Sequence, residues 1–255
     1  GAASQVDTFD VKDTPEVPED FDIRTIRQGL RMPVGTLPRL SERIEKYTIA
    51  RSMAAWDLNH DRAMYHLQAG REFSVARLEE IPSIGSVVAY EFMDQRKESD
   101  ILPPFISFDV QTSLLVSSGF MPGITTPLSL KGHQTPPFVL PADEKETFKR
   151  RLNLLGSLQD EWHQEVVQRP RIFKNLEDYQ QSAALLSDPK AASIFEMTED
   201  DKKRYGKYTG SVGHLGFASV IARNIVEADA GTKFILINHG TWDLHSNCYD
   251  KDYHW

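Results

Sequence analysis

The chain has a single cysteine, Cys248, among 255 residues. An internal disulfide framework is excluded, and cysteine usage leaves the redox compartment open. No apolar run approaches the roughly 18 residues that a membrane-spanning helix needs, so no membrane insertion is expected. Positive charge is scarce as well. There are 29 Lys and Arg against 37 Asp and Glu, a formal charge of −8. That balance argues against a nucleic-acid partner. The densest basic run, Lys149-Arg150-Arg151, falls in a helical pattern and reads as a solvated face. The glycine patterns of a phosphate-binding loop and of a dinucleotide fold are missing. So is the Gly-x-Ser-x-Gly turn of α/β-hydrolases. There is no internal repeat and no low-complexity tract.

What is present is the composition of an ordinary globular protein, 40% apolar and 26% charged. This length favours one large α/β domain over residues 1–255. Leu37, Leu40, Ile44 and Tyr47 recur at helical spacing, and Thr48-Ile49-Ala50 follows as a strand. Ala63, Met64 and Leu67 form a helix face that Gly70 closes in the left-handed conformation. Ser83 caps a further helix, with Ile84, Val87, Val88 and Phe92 on one face. Phe105-Ile-Ser-Phe108 is a buried strand. Residues 111–141, rich in Ser, Thr, Gly and Pro, read as a long ordered loop bordering a site. Asp143-x-x-Glu146 opens a long helix carrying Phe148, Leu152, Leu155 and Trp162. A polar helical stretch runs from about Leu176 to Met197, and a short helix with an acidic start begins at Thr198. His214 to Ala228 is a helix ending near Gly231, and it returns the chain to a strand at Phe234-Ile-Leu-Ile237. Helix alternating with strand is the pattern of a doubly wound α/β fold.

That last strand empties into Asn238-His-Gly-Thr-Trp-Asp-Leu-His-Ser-Asn247. Ligand sites in open α/β sheets lie just beyond the carboxyl ends of parallel strands. Imidazole and carboxylate are the groups that hold zinc and similar divalent ions. His239, Asp243 and His245 are therefore candidate metal ligands, with Gly240 giving the loop room to curl. The competing reading is a polar loop whose histidines cap strand ends. Asn59-His60 stands at the mouth of the helix that ends at Gly70, where free N–H groups suit an anion. His60 there could ligate a metal, donate a proton or attack as a nucleophile, or simply be an exposed first-turn histidine. In Gly1-Ala-Ala-Ser-Gln-Val-Asp-Thr-Phe-Asp10, Asp7 and Asp10 place carboxylates beside a metal or make a surface turn. Ser211-Val-Gly-His214 reads as a helix start with no catalytic role.

Several short segments, in this order, resemble one family. They are Ser4-Gln-Val-Asp-Thr-Phe-Asp10, Arg51-Ser-Met53 with Asn59-His60, Pro82-Ser-Ile-Gly-Ser86 and Leu102-Pro-Pro-Phe105. Ser118-Gly-Phe-Met-Pro122, Ala222-Arg223 with Val226-Glu-Ala228, and Gly240-Thr-Trp-Asp-Leu-His245 complete the series. The family is the sulfatase-like domain of unknown function 1501, within the alkaline phosphatase superfamily. The resemblance implies an alkaline-phosphatase-like fold, a mostly parallel sheet sandwiched between helices, with divalent ions (zinc, calcium or magnesium) at the strand ends. Asp243 and His245, with His239 and Asp7, resemble metal ligands, and Asn59 and Ser4 resemble substrate-contacting positions. His60 falls where phosphatases carry serine or threonine and sulfatases a modified cysteine. The implied reaction is cleavage of a sulfate or phosphate ester, a small anionic ester or a sulfated or phosphorylated glycan. The alternative is an exported binding or assembly protein that keeps the fold without the chemistry. The resemblance also implies a periplasmic or otherwise exported protein with a twin-arginine signal. It further implies that this chain is a fragment, incomplete at both termini and inactive alone.

Overall fold

Gly29, with φ +72°, turns the chain between Ile23–Arg27 (β1) and Leu30–Pro33 (β2). Glycine reaches positive φ without a steric penalty, which suits it to this tight reversal. The two strands are antiparallel, with Ile23 opposite Pro33 and Thr25 opposite Arg31, and the register slips between Thr25 and Arg27. Met32 is fully buried and Phe21 nearly so. A single turn of helix, Pro38–Ser41 (α1), follows with proline at its start, and a 3₁₀ turn spans Ile44–Lys46. The continuous helix expected over Leu37–Tyr47 is thus broken in two. Ile44 is buried as its spacing requires, but Tyr47 is extended and largely exposed. Residues 48–50 form no strand.

The computed structural model describes residues 11, 17–50, 57, 59–77, 80–110, 116–132, 144–165, 185, 188–205 and 210–239. The chain divides into two compact units, residues 1–58 with 240–255 and residues 59–239; β1, β2 and α1 belong to the first. The second contains His60–Ala69 (α2), Ile84–Glu91 (α3), Phe105–Phe108 (β3) and Leu128–Leu130 (β4). It continues with Lys145–Glu165 (α4), Pro189–Ile194 (α5), Glu199–Tyr205 (α6), Gly210–Ala228 (α7) and Phe234–Ile237 (β5). The expected helices at Ala63–Leu67, after Asp143, at Thr198 and over His214–Ala228 are present, as are the strands at Phe105 and Phe234. No helix among the described residues is long and apolar enough to cross a membrane.

One parallel sheet organises this unit, in the order β4-β3-β5. Ile106 pairs with Leu128 on one side and with Ile235 on the other. All four residues of β3 are buried, as befits a central strand covered on both faces. Alternation then sorts its side chains. Ile106 and Phe108 join Ile235 and Ile237 in a cluster with Ile194 and Phe195 and with Phe217, Ile221 and Ile225 of α7. Phe105, with Phe234 and Leu236, faces Tyr65 of α2, Ala89 of α3 and Val116. Helices therefore cover both faces, and the fold of this unit is mixed α/β around a parallel sheet.

Two further expectations need correction. The buried side of α3 is Gly85, Ser86 and Ala89, while Ile84 and Phe92 are exposed. The Phe105 ring lies so close to Gly85 that a β-carbon there would meet it, so this side is selected by smallness rather than hydrophobicity. Within the segment taken as a loop, residues 128–130 form β4, a strand too short to show a period.

Candidate functional site

The three strands of the parallel sheet end together, and the order β4-β3-β5 makes β3 the point from which the chain departs to either side. Ligands of open α/β sheets collect in the crevice at such a point. Asp109 is the first residue past β3 and adopts φ +53°. Its N–H donates to the Leu130 carbonyl at 3.0 Å, and its Oδ1 accepts from Gly132 N–H, also at 3.0 Å. On the other side, Asn238 N–H donates to the Phe108 carbonyl, and Asn238 Nδ2 donates to the Asp109 carbonyl at 2.9 Å. Asp109 is thereby tied to the ends of both neighbouring strands. A β-carbon on Gly132 would meet Asp109 Oδ2 and stand 3.0 Å from the His214 carbonyl, so glycine is what lets the first turns of α7 close over this point.

His239, the next residue after Asn238, is partly buried. Burial lowers its pKa below the ordinary histidine value, the nearby Asp109 charge acts to raise it, and His214 acts to lower it. An imidazole in this setting is neutral at pH 7 and offers a nitrogen lone pair without first losing a proton. The structure thus brings together one expected site residue, His239, with two that the sequence did not single out. Asp109 was legible by the same rule that identified His239, since it directly follows a buried strand. His214 was read only as part of a helix start, and nothing in its local sequence marks it otherwise.

Asn59 and His60 sit where the helix-mouth reading put them. Asn59 caps α2, its Oδ1 accepting from Arg62 N–H at 3.1 Å, and His60 is the exposed first residue of the helix. Gly70 closes α2 at φ +64°. Helical spacing sets His60, Met64 and Gln68 on one stripe. Met64 and Gln68 line a cavity whose opposite wall includes Asn238, beside His239. Ser4, Asp7, Asp10, Asp243 and His245 lie outside the described residues. Among the described residues, no three His, Cys, Asp or Glu side chains are grouped to hold a metal ion.

No curated protein and no solved structure matches the chain. The sequence profile of one family, Protein of unknown function (DUF1501), matches residues 1–253, and the chain belongs to that family.

Proposed function

We propose that the protein is a metal-dependent hydrolase of anionic sulfate or phosphate esters, with its site at the carboxyl ends of β3, β4 and β5. The observation that carries this reading is the placing of His239 and Asp109 together at the switch point of a parallel sheet, where burial lowers the histidine's pKa. Neutral imidazole and carboxylate are the donor types that suit a zinc-like ion. At the level of sequence, the resemblance to the alkaline phosphatase superfamily implies metal-ligand roles for Asp7, Asp243 and His245, substrate contacts at Ser4 and Asn59, and export of the protein. A divalent ion held by such side chains would supply Lewis-acid stabilisation of the attacking and leaving oxygens. The chain's own contribution is to fix the donors. Asp109 is locked by Gly132 and Asn238, and its charge favours a cation close to His239. Exposed at the N-terminus of α2, His60 meets an anionic group where helix N–H groups and dipole favour one.

Elemental analysis of the protein, purified without chelator or affinity tag, tests this reading. One or two tightly held divalent ions, lost in His239→Ala and His245→Ala, are expected, together with turnover in a panel of sulfate and phosphate monoesters. Histidine at position 60, where hydrolases of the superfamily carry a hydroxyl or a modified cysteine, favours a second reading, a binding protein that keeps the fold. Absence of both metal and turnover would select it.

A further inference from the structure

Along α4, Phe148, Leu152 and Leu155 are half-buried, while Leu154 and Leu158 on the neighbouring stripe are 61% and 46% exposed. No described side chain of this 21-residue helix is fully buried, and none belongs to either apolar cluster. A helix of that length runs for about 32 Å and keeps its shape mainly by packing an apolar face. We propose that the exposed stripe of α4 pairs with the same stripe of a second copy of the chain, the two helices running antiparallel about a two-fold axis at Gly156.

The spacing carries the register. Thr147, Arg151, Leu154, Leu158, Glu161 and Glu165 follow one another at intervals of four, three, four, three and four, the spacing of a coiled-coil seam. Reversed about Gly156, this seam is its own complement. Leu154 comes opposite Leu158, Arg151 opposite Glu161 and Thr147 opposite Glu165. In an antiparallel pair each a position meets a d position of the other helix, and all three pairs obey that rule.

Charge carries the orientation and the choice of partner. Residues 145–151 hold four bases and one acid, and residues 160–165 hold three acids and no Lys or Arg. Antiparallel pairing brings each basic half against an acidic half. Parallel pairing would instead set Arg151 against Arg151 and Glu161 against Glu161. Because the helix complements itself, the occupant is a second copy, and the contact is isologous. Two leucine layers flanked by two charged layers make a small interface, so association is micromolar rather than nanomolar. The pairing stands independently of the hydrolase reading.

Sedimentation velocity on the full chain over a concentration series tests this, with circular dichroism as the check on folding. The parent should pass from monomer to dimer in the micromolar range, and added salt should weaken the dimer. Two-fold symmetry makes each substitution count twice. Arg151→Glu should weaken association about tenfold or more, since two attractions become two repulsions. Adding Glu161→Arg to that variant should restore it, an outcome that only the antiparallel register allows. Leu154→Ala with Leu158→Ala should abolish association and keep the helix signal. A parent that stays monomeric well above that range would overturn the inference. So would association that ignores Arg151→Glu or the leucine changes, or a double charge swap that fails to recover.

Discussion

Asp109 holds a left-handed backbone conformation that costs a non-glycine residue on the order of 1 kcal/mol or more. Hydrogen bonds to Leu130, Gly132 and Asn238 hold it there, and all three come from strand ends. Its electrostatic partner is His239, so Asp109→Asn should lower the His239 pKa further by removing a negative charge. His214→Gln should raise it. An NMR titration of the His239 ring distinguishes the two, and shifts of the opposite sign would refute the cluster. The same titration bears on stability. A folded pKa below the unfolded value means that the unfolded chain binds the proton first. His239 therefore costs nothing above about pH 6.5 and destabilises the fold as pH falls below it. Replacing His239 by Gln should flatten the loss of urea stability between about pH 7 and pH 5, provided that no metal is bound.

Among the helices, the family-like pair Ala222-Arg223 proves to be a fastening. Arg223 Nη1 donates to Asp201 Oδ1 at 2.9 Å, tying α7 to α6, and its guanidinium lies 5.7 Å from the Tyr205 ring centre. Asp201 also closes a capping box. Its Oδ2 accepts from the Thr198 hydroxyl and N–H, while Thr198 Oγ1 accepts from Asp201 N–H. The Arg223 and Thr198 hydrogen bonds hold the Asp201 carboxyl down to about 2. This depressed carboxylate stabilises the fold above about pH 4, and the contribution is lost as pH falls toward 2. Asp201→Asn should accordingly lose stability relative to the parent at pH 7, with the gap closing near pH 2 in urea titrations. An equal gap at both values would show that packing, not charge, joins these helices.

Other family-like segments are equally structural. Ser86 Oγ donates to the Ser117 carbonyl, and Gly119, at φ +55°, packs against the backbone at Ile81-Pro82. Gly85→Ala should cost about 1–3 kcal/mol by overpacking against Phe105, measured as a drop in urea midpoint at constant slope. A neutral result would mean that the ring has space to retreat.

At the scale of the whole molecule, residues 59–239 contain the parallel sheet and both apolar clusters. A chain cut to that span should keep its mixed α/β circular dichroism and unfold in one cooperative step. A non-cooperative melt would show that the core is not self-sufficient. The sequence disclosed this layout where apolar periodicity ran long enough, as in α4, α7, β3 and β5. It failed where few residues decide the structure. β4 has three, β1 and β2 carry arginines and threonine along exposed positions, and the inner side of α3 is set by a glycine. The site followed the same division. His239 was visible because its strand ends in histidine, whereas the Asp109–Gly132 contact joins positions 23 residues apart that only folding brings together.

The order of the sheet has a consequence in time. Ser107 meets Ser129 after 22 residues, but the bonds from β3 to β5 span 129, as between Asp109 and Asn238. At a synthesis rate of 5–20 residues per second, β3 emerges roughly 6 to 26 s before the strand that completes it. During that interval the central strand, buried along its whole length in the finished fold, has one free edge, so the nascent chain is most open to aggregation, or to a chaperone, just before α7 and β5 appear.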